Sequence, residues 1–570
     1  MNKNKLLKKE KKTSYLKTFL IIALMCLISL ILRYQGFGAA DMNEYMPLVY
    51  HTESGMFKND LMVNSSAEFN VRQTFIFLLI FLKSLIGNYE IAALSLLFVC
   101  MLLFSWGFYK LVFLLTKNYK LSLLSLIFPL FIFIVGIGGH ALEIGALLAS
   151  SRIALIFVVW AIYFYFKEDY LIGFSLLGIS SLFHISYAYL GYYLMFLALV
   201  FKKSENKEKL KKKIKGLLKS LSFFLFFSIS FLPLLFISSK QSRGISSEKL
   251  IYIFKFRSPW HVDVLSWNWP VWAWSIFLFV LFIIAYKYSK IDRKYKNIAK
   301  IFVITMLISY VMQVIFTEFL PWGPIVKIHF FRLTEFLNLI EFIFISEFLY
   351  NSFDKKVSGN NKRVLFLLIG LLIMINLFLI MSLMLPYLFA KLTSRIPIAI
   401  TLLILIPLFF IKGKKIKIIL ASILIIFLIS YLIYNPLVGR YKYDSNKEEL
   451  FEFIKKYTPE DSILLAPPYI NTFRVGSERA IVVDFELAPP GDKAIVEWYN
   501  RILDVTESQN MAYKKGISFG YIKEGYKLLT EEDINGLKEK YYFDYAVFEK
   551  PKTLDFEKVY ENYQFVVYKI

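Results

Sequence analysis

Residues 36–70 read GFGAADMNEYMPLVYHTESGMFKNDLMVNSSAEFN and closely follow an apolar run that is long enough to span a bilayer. The stretch places Asp41, Glu44 and Asp60 just outside a membrane helix, with apolar and aromatic residues between them. Carboxylates near hydrocarbon cost free energy unless they face water, a partner or a substrate. We therefore predict that the outer loop, residues 35–72, carries the functional site.

The composition around this loop is that of a polytopic membrane protein. Of the 570 residues, 57% are hydrophobic and 18% are aromatic, and the mean hydropathy is +0.55. A soluble protein of this length needs far more polar surface. Apolar runs recur along most of the chain and predict about thirteen transmembrane helices. These lie near 16–34, 73–87, 90–115, 121–138, 153–166, 170–200, 220–238, 270–286, 300–317, 330–350, 364–386, 396–411 and 418–434.

The net charge of +24 reflects the membrane topology of the chain, because the basic residues cluster in short loops between apolar runs. It does not indicate a nucleic-acid partner. Loops rich in Lys and Arg face the cytoplasm. With a cytoplasmic N-terminus, the predicted cytoplasmic loops are all basic: 201–219, 287–299, 351–363 and 412–417. Residues 436–570 carry 19 Lys and Arg against 23 Asp and Glu and fall outside. We therefore predict a multi-pass cell-membrane protein with an extracytoplasmic C-terminal region.

The chain divides into a transmembrane domain, residues 1–434, and a small soluble α/β domain, residues 435–570. Alternation of apolar residues and helical spacing predict the elements of the second domain. They are helices at 446–457, 491–507 and 530–541 and strands at 462–466, 480–485, 543–548 and 563–569. Within the transmembrane domain, the topology of 117–152 stays open, and a re-entrant or broken helix is the alternative for the segment 138–152, GGHALEIGALLASSR.

Asp41 and Glu44 are the first candidates for chemistry. If their segment is helical they stand three residues apart, on one side, so that both could face one cavity. A general base or a metal-binding pair requires that arrangement. The alternative is a solvated loop in which Asp41 caps a helix that starts at Met42. Asp60 is a further candidate for substrate binding.

Cations beside the predicted spans are candidates for binding an anion. The segment KIHFFRLTEF places Lys327, His329 and Arg332 at the outer end of the tenth span, with Glu335 one turn further on. An arginine offers a rigid fork of donors that suits phosphate or carboxylate. The alternatives for Arg332 are an internal pair with Glu335 or snorkelling to lipid headgroups.

The loop 239–269 adds Arg257 and His261 as candidates for substrate binding, among tryptophans that are typical of interfacial anchors. His184, inside the sixth predicted span, is interpreted as a packing residue in preference to a ligand. Glu486 and its charged neighbours in the C-terminal domain are interpreted as structural or rim contacts.

The order of these features resembles the GT-C superfamily, membrane glycosyltransferases that use polyprenyl- or dolichyl-phosphate-linked sugars. The shared features are a first helix, a large outer loop with an early acidic residue, many spans and a soluble outer C-terminal domain. More closely, the chain resembles an uncharacterised family of prokaryotic GT-C-like multi-span proteins. The motifs that carry the resemblance are DMNEYMPLVYH (41–51), FKNDLMV (57–63), SLFHISYA (181–188), FRSPWHV (256–262), PPYINTFRVGSERAIVVDFELAP (467–489) and EWYNRI (497–502).

The resemblance implies transfer of a sugar from a polyprenyl-phosphate-linked donor to an extracytoplasmic acceptor, in contact with membrane lipids. It implies that Asp41 is the base that activates the acceptor, and that Arg332 or a neighbour binds the lipid phosphate. The chain departs from the pattern because Asp41 and Glu44 form no DxD or ExD pair. The sequence therefore predicts no definite cofactor. A divalent metal is the alternative.

Three other classes compete with this interpretation. A transporter or flippase would show charges along a path and related halves, and the sequence shows few mid-span charges and no symmetry. A polysaccharide polymerase or ligase also uses outer arginines and a lipid carrier, and a large late outer loop would favour it. A non-catalytic GT-C-like assembly protein would keep the fold without the site.

Overall fold

The structure, a computed structural model, is mostly helical and ends in a small mixed domain. It describes residues 3–39, 41–68, 72–132, 136–140, 142, 144–201, 207–228, 244–267, 269–353, 396–411, 413–441, 444–506 and 519–570. The predicted span 364–386 lies outside these residues, as does the second half of the predicted span 220–238.

The helices of the first 434 residues differ widely in length. In chain order they are α1 (Lys3–Arg33), α2 (Met42–Ser54), α3 (Leu61–Glu68), α4 (Gln73–Ile86), α5 (Tyr89–Thr116), α6 (Tyr119–Leu124), α7 (Ile127–Phe131), α8 (Ser150–Phe166), α9 (Tyr170–Ser181), α10 (Ile185–Phe201), α11 (Lys207–Ser228), α12 (Ser247–Arg257), α13 (Pro259–Val262), α14 (Trp269–Tyr288), α15 (Arg293–Val314), α16 (Gly323–Ile328), α17 (Leu333–Phe353), α18 (Ile396–Phe410) and α19 (Lys414–Tyr434).

Several of these helices identify a multi-pass membrane protein. Within the described residues, five are long and apolar enough to cross a bilayer. They are Tyr15–Arg33, Tyr89–Thr116, Val271–Tyr288, Arg293–Phe319 and Lys414–Tyr434. The pair α3 and α4, bent by 105°, makes a sixth if it forms one broken span. The number of thirteen spans stays a prediction, as does their orientation.

One predicted span, 170–200, is two shorter helices, α9 and α10, which pack against each other and against α8. The break falls at Leu182–His184. Hydroxyls satisfy backbone carbonyls near it: Ser181 Oγ donates to Gly178 O at 2.6 Å, and Ser180 Oγ donates to Ala154 O at 3.0 Å. Hydropathy alone does not predict such a break, because it measures how apolar a segment is and contains no information on the direction of the chain.

The predicted span 121–138 is also interrupted. The chain forms α6, α7 and a 3₁₀ turn at Ile137–Gly139 before α8 starts at Ser150. Gly138 has φ of 74°, a conformation that side chains disfavour. The prediction of one continuous helix over 121–138 is therefore wrong, because the described residues of this stretch form two short helices and a turn.

The outer loop folds into α2 and α3. Asp41 stands at the N-cap position of α2, yet its side chain makes no capping hydrogen bond within the described residues. The buried face of α2 includes Tyr45, Met46 and Val49, and this helix contacts α4. The side chain of Asp41 therefore does not cap α2, which was the alternative interpretation of this residue.

The C-terminal domain is built on a five-stranded sheet of order β2-β1-β3-β5-β4. Its strands are β1 (Ile463–Leu465), β2 (Ala480–Ile481), β3 (Tyr545–Glu549), β4 (Glu557–Glu561) and β5 (Phe565–Lys569). β1 runs parallel to β2 and β3, whereas β5 is antiparallel to β3 and β4. The helices are α20 (Ser445–Tyr457), α21 (Phe473–Ser477), α22 (Asp492–Asp504), α23 (Phe519–Leu528) and α24 (Glu531–Tyr541).

The predicted elements of this domain are all present, although the strand predicted at 480–485 is only two residues long. Capping side chains explain why two helices start where predicted. Asp444 accepts from the backbone N–H of Lys447 at 3.0 Å at the start of α20, and Thr530 and Asp533 form a capping box at α24. The sequence analysis missed β4, α21 and α23.

The linker that precedes the C-terminal domain contacts the C-terminal end of the first helix. Arg440 Nη1 donates to the carbonyls of Ile31 and Tyr34, each at 2.9 Å, and so satisfies carbonyls at the end of α1. Tyr441 packs against Gly36, where a Cβ would lie 2.4 Å from the Tyr441 nitrogen. The linker is thus fixed against the start of the outer loop.

Candidate functional site

A cavity of about 470 Å³ lies between the outer loop and the C-terminal domain. We call it the site cavity. It is lined by α2, the start of α10, the α12–α13 corner, the α16–α17 corner, and residues 486–490. Seven of the eight residues selected from the sequence line it: Asp41, Glu44, Arg257, His261, Lys327, His329 and Arg332.

Two carboxylates of the cavity come from α2 and its N-cap. Glu44 forms an ion pair with Arg72, whose guanidinium lies 4.9 Å from the centre of the Tyr45 ring. Asp41 Oδ2 accepts a hydrogen bond from the Tyr45 hydroxyl at 3.4 Å. No basic side chain of the described residues forms an ion pair with Asp41. Of the two carboxylates, Asp41 is therefore the one available to accept a proton.

Arg332, at the α16–α17 corner, lines the cavity. Its Nη1 donates to His184 Nε2 at 2.9 Å, and its guanidinium lies 5.8 Å from the centre of the Tyr187 ring. Its Nε is buried and has no hydrogen-bond partner within the described part of the chain. A buried guanidinium without a carboxylate partner is suited to an anionic ligand.

The internal pair between Arg332 and Glu335, an alternative from the sequence, is not formed. Glu335 is buried and accepts a hydrogen bond from the Tyr187 hydroxyl at 2.6 Å. Its other oxygen lies 3.4 Å from Arg152 Nη1. Glu335 therefore holds Tyr187, whose ring lies beside Arg332, and leaves the guanidinium to the cavity.

Burial lowers the pKa of two histidines of the cavity, His261 and His329. His261 Nδ1 lies 2.6 Å from the carbonyl of Gly138, and its ring stacks on that of His140 at 4.4 Å. Burial and then the nearby His140 and Arg332 lower the pKa of His261 well below its usual value. Burial and Arg332 do the same to the pKa of His329. The cations of the site are therefore its arginines and lysine.

Arg257 and Lys327 connect the transmembrane domain with the C-terminal domain. Arg257 Nη2 donates to the carbonyl of Glu486 at 2.7 Å, and its guanidinium lies 5.1 Å from the centre of the Phe485 ring. Lys327 Nζ donates to Asp492 Oδ2 at 2.6 Å. Both cations also line the cavity. Each therefore contacts a structural partner and the site.

Asp60 is the one selected residue that the structure does not bring into the cavity. It is fully buried, and its Oδ2 accepts from Arg474 Nε at 2.7 Å and from the backbone N–H of Ile481 at 3.1 Å. Its Oδ1 accepts from the N–H of Met62 at 3.0 Å. The outer-loop carboxylate is thus satisfied by a partner in the C-terminal domain, and we assign it a structural role.

Three ionisable residues that line the cavity were not selected from the sequence: Arg72, His184 and Glu486. Arg72 was not selected, although it stands at the far end of the same outer loop as Glu44. His184 was interpreted as a packing residue, and Glu486 as a rim contact. His184 could not be selected from the motif SLFHISYA, because its access to the cavity depends on the helix break at 182–184, which hydropathy does not predict.

The described residues contain no group of three or more His, Cys, Asp and Glu side chains that could hold a metal ion. Glu44, which would be the natural partner of Asp41 in a metal pair, is engaged by Arg72. Among the described residues, the cavity therefore offers no set of three metal ligands.

Comparison with solved structures shows the fold. The chain is similar to ArnT from Cupriavidus metallidurans bound to undecaprenyl phosphate, with a TM-score of 0.52 and 13% identity over 98% of both chains. It also matches the Archaeoglobus fulgidus oligosaccharyltransferase tethered with an acceptor peptide, with a TM-score of 0.44 and 10% identity over 93% of this chain and 69% of that one. The GT-C resemblance is confirmed at the level of the fold.

Comparison with protein families divides the chain between two models. A domain of unknown function, DUF6798, matches residues 445–505 in the C-terminal domain. No curated protein matches the chain. The EpsG family model matches residues 15–389, about two thirds of the sequence, and includes the outer loop and the cations of the site. The chain belongs to the EpsG family.

Proposed function

We propose that this protein transfers a sugar from a polyprenyl-phosphate-linked donor to an extracytoplasmic acceptor. The observation that carries the proposal is one cavity that contains both an unpaired carboxylate, Asp41, and three cations, Arg257, Lys327 and Arg332. The carboxylate suits an acceptor that must lose a proton, and the cations suit a phosphate leaving group. The fold shared with a protein that is bound to undecaprenyl phosphate supports the donor class.

The cationic side has unused donors for a phosphate. Arg257 Nε and Arg332 Nε are buried without a hydrogen-bond partner among the residues that the structure describes. The same is true of Nδ1 in His184 and His329. Each buried polar atom that lacks a partner costs about 1–3 kcal/mol. A bound phosphate would recover part of this cost, because its oxygens accept the guanidinium and imidazole hydrogens.

The reaction requires one proton transfer and one bond exchange. The acceptor hydroxyl oxygen attacks the anomeric carbon of the sugar, and the bond from that carbon to the phosphate oxygen breaks. The phosphate leaves with the electron pair of that bond. Asp41 takes the proton of the hydroxyl. Arg332, with Arg257 and Lys327, stabilises the charge that develops on the phosphate, so that it leaves without being protonated.

The location of the cavity suits a lipid-linked donor. It lies between residues of the helical first 434 residues and the C-terminal domain, so that a phosphate at the membrane surface could reach it while its polyprenyl chain stays in lipid. We propose that residues 1–434 form the transmembrane domain and that residues 435–570 lie outside the cytoplasm, as the loop charges predict. This arrangement brings the acceptor from the extracytoplasmic side.

Donor consumption by the purified protein tests the proposal. The full-length chain in lipid nanodiscs is incubated with a panel of polyprenyl-phosphate sugars, and release of polyprenyl phosphate is measured. Asp41→Asn keeps the size of the side chain and removes its charge, and we expect it to lower turnover at least 100-fold. Asp461→Asn is the matched control, because Asp461 is an exposed carboxylate outside the cavity.

The outcome separates the competing classes. Turnover that is lost in Asp41→Asn and kept in Asp461→Asn supports the transferase with Asp41 as its base. Turnover that is indifferent to Asp41 rejects that residue as the base. Absence of turnover with every donor rejects the proposal and favours a transporter or an assembly protein.

A further inference from the structure

We infer that Glu486, supplied by the C-terminal domain, binds a hydroxyl group of the acceptor, and that residues 486–490 form the acceptor side of the site cavity. This inference rests on the proposed transfer and extends it from the donor to the acceptor. Five consecutive residues of this loop line the cavity, together with Ile495 of α22. The C-terminal domain therefore supplies part of the site itself.

The loop is held rigidly by buried contacts on both sides. Asp484 Oδ1 accepts from the backbone N–H of Leu487 at 2.8 Å, and its carbonyl accepts from Trp498 Nε1 at 2.8 Å. Arg474, which is almost fully buried, pairs with Asp484. Two successive prolines at 489–490 then restrict the backbone of the second half. A side chain on such a loop is held in place before a ligand arrives.

The carboxylate of Glu486 has one structural partner and one oxygen left over. Its Oε2 accepts from Asn471 Nδ2 at 3.1 Å. Its Oε1 has no hydrogen-bond partner in the part of the chain that the structure describes. Arg257 Nη2 donates to the backbone carbonyl of Glu486. This hydrogen bond holds the backbone that bears the carboxylate. An oriented carboxylate oxygen of this kind is suited to accept a hydrogen bond from a hydroxyl.

The charges around Glu486 favour a neutral donor group over a second anion. Burial raises the pKa of Glu486 to about 7, with Arg257 opposing the rise and the charges of Glu44, Asp41 and Asp484 adding to it. These carboxylates would repel an acidic ligand from this side of the cavity. A hydroxyl is uncharged and can donate to either carboxylate, so it meets no such penalty.

Apolar groups beside Glu486 suit the flat faces of a sugar ring. Leu487, Ala488 and Pro489 line the cavity next to the carboxylate, and the partly exposed indole of Trp260 lines it as well. A saccharide presents C–H groups on one face and hydroxyls at its edge, so it can pack on an aromatic or aliphatic surface and donate to a carboxylate together. The acceptor chemistry that fits is therefore a saccharide hydroxyl.

Equilibrium binding tests the inference without depending on turnover. The full-length protein in nanodiscs is titrated with a panel of fluorescent mono- to tetrasaccharides of glucose, galactose and N-acetylglucosamine, in the presence of undecaprenyl phosphate. The variants are Glu486→Gln and the matched control Glu497→Gln, which changes a partly exposed glutamate of α22 that does not line the cavity. Undecaprenyl phosphate is titrated separately against each variant.

We expect Glu486→Gln to weaken binding of the saccharide about tenfold or more while the Kd for undecaprenyl phosphate changes less than twofold. Glu497→Gln should leave both unchanged. Saccharide binding that is equal in wild type and Glu486→Gln overturns the inference, as does a wild type that binds no saccharide. Loss of undecaprenyl phosphate binding places Glu486 on the donor side and also overturns it.

This outcome is distinguishable from failure of the proposed function. A protein that binds saccharide through Glu486 and consumes no donor keeps the acceptor subsite and rejects the transferase. A protein that consumes donor with equal acceptor KM in wild type and Glu486→Gln keeps the transferase and rejects the subsite. Thermal unfolding of each variant shows that any loss of binding is not a loss of folding.

Discussion

Arg474 joins the outer loop to the C-terminal domain through a buried three-residue ion network, and its removal provides a direct test of that junction. The exposed fractions of Asp60, Arg474 and Asp484 are 0%, 1% and 1%. Arg474 Nε donates to Asp60 at 2.7 Å, and its Nη1 pairs with Asp484. We consider the change Arg474→Met, which keeps much of the side-chain volume and removes the cation.

The expected cost follows from the charges that are left behind. Removal of one partner from a buried ion pair costs about 3–5 kcal/mol, because the remaining charge is buried without compensation. Here two carboxylates remain. Asp60 keeps three backbone donors, from Met62, Val63 and Ile481, which favours the lower end of the range. A loss of about 3 kcal/mol corresponds to a fall in thermal midpoint of roughly 6–12 °C for a cooperative unit of about 150–250 residues, and to a smaller fall if the whole chain of 570 residues unfolds together.

Fluorescence-detected thermal unfolding of the full-length protein in detergent measures this fall. Lys527→Met is the control, because Lys527 is an exposed cation of the same domain and surface pairs are worth about 0–1 kcal/mol. The triple change Asp60→Asn, Arg474→Met, Asp484→Asn should recover much of the loss, since it leaves no buried charge. An Arg474→Met protein with the midpoint of wild type would refute the argument that this network holds the domain.

Four further outcomes are expected. Ionisation of Glu486 lowers the stability of the folded protein as pH rises from its ordinary pKa of 4.5 to about 7, so Glu486→Gln should raise the thermal midpoint at pH 8 and leave it unchanged at pH 4. Arg332→Lys should lower kcat/KM for the donor about 10–100-fold, measured as release of polyprenyl phosphate, because an ammonium cannot reproduce the fork of a guanidinium. Gly36→Ala should lower the free energy of unfolding by about 1–3 kcal/mol in thermal unfolding, because φ is 103° and the new methyl would overlap Tyr441. Gly87→Ala, at φ of 84° with open space around it, should lower the free energy of unfolding less. Treatment with EDTA should leave turnover within twofold, because the described residues gather no metal-ligand set.

The position of the site could be predicted because its residues are chemically unusual where they stand. Carboxylates and arginines directly beside apolar runs require a compensating partner or ligand, and this is visible without knowledge of the fold. Asp41, Arg257 and Arg332 are separated by more than 200 and by 75 residues in sequence, yet all line one cavity. The requirement is local to each residue, and therefore each could be selected independently.

Asp60 shows where this kind of reasoning fails. The same argument that selected it allows a protein partner as well as a substrate, and its partner Arg474 lies 414 residues away. Nothing in the motif FKNDLMV distinguishes the two cases, because pairing across such a separation depends on the tertiary fold. Glu486 is the opposite case, since it was interpreted as a structural or rim contact among the charged residues that follow Pro467 and Pro468, and the structure places it in the lining of the cavity.

Helix breaks were the other feature that the sequence did not show fully. Glycines at 136, 138 and 139 made a break an open alternative near the end of the predicted span 121–138, whereas the break between α9 and α10 lies in a run that is apolar on average despite Ser180, Ser181 and His184. Hydropathy measures transfer to hydrocarbon and carries no information on where a helix ends. His184 stands at the second break, so an error about the helix became an error about the site.

The outer loop and the C-terminal domain are best understood as one functional unit, because each satisfies charges in the other. Asp60 of the loop is buried by Arg474, and Lys327 and Arg257 of the transmembrane domain are bound by Asp492 and by the Glu486 carbonyl. Displacement of the domain would therefore expose these groups and also remove one wall of the cavity. A reaction between a lipid-linked donor and an external acceptor requires such coupling, since the two substrates arrive from opposite sides and must meet in a site that excludes water.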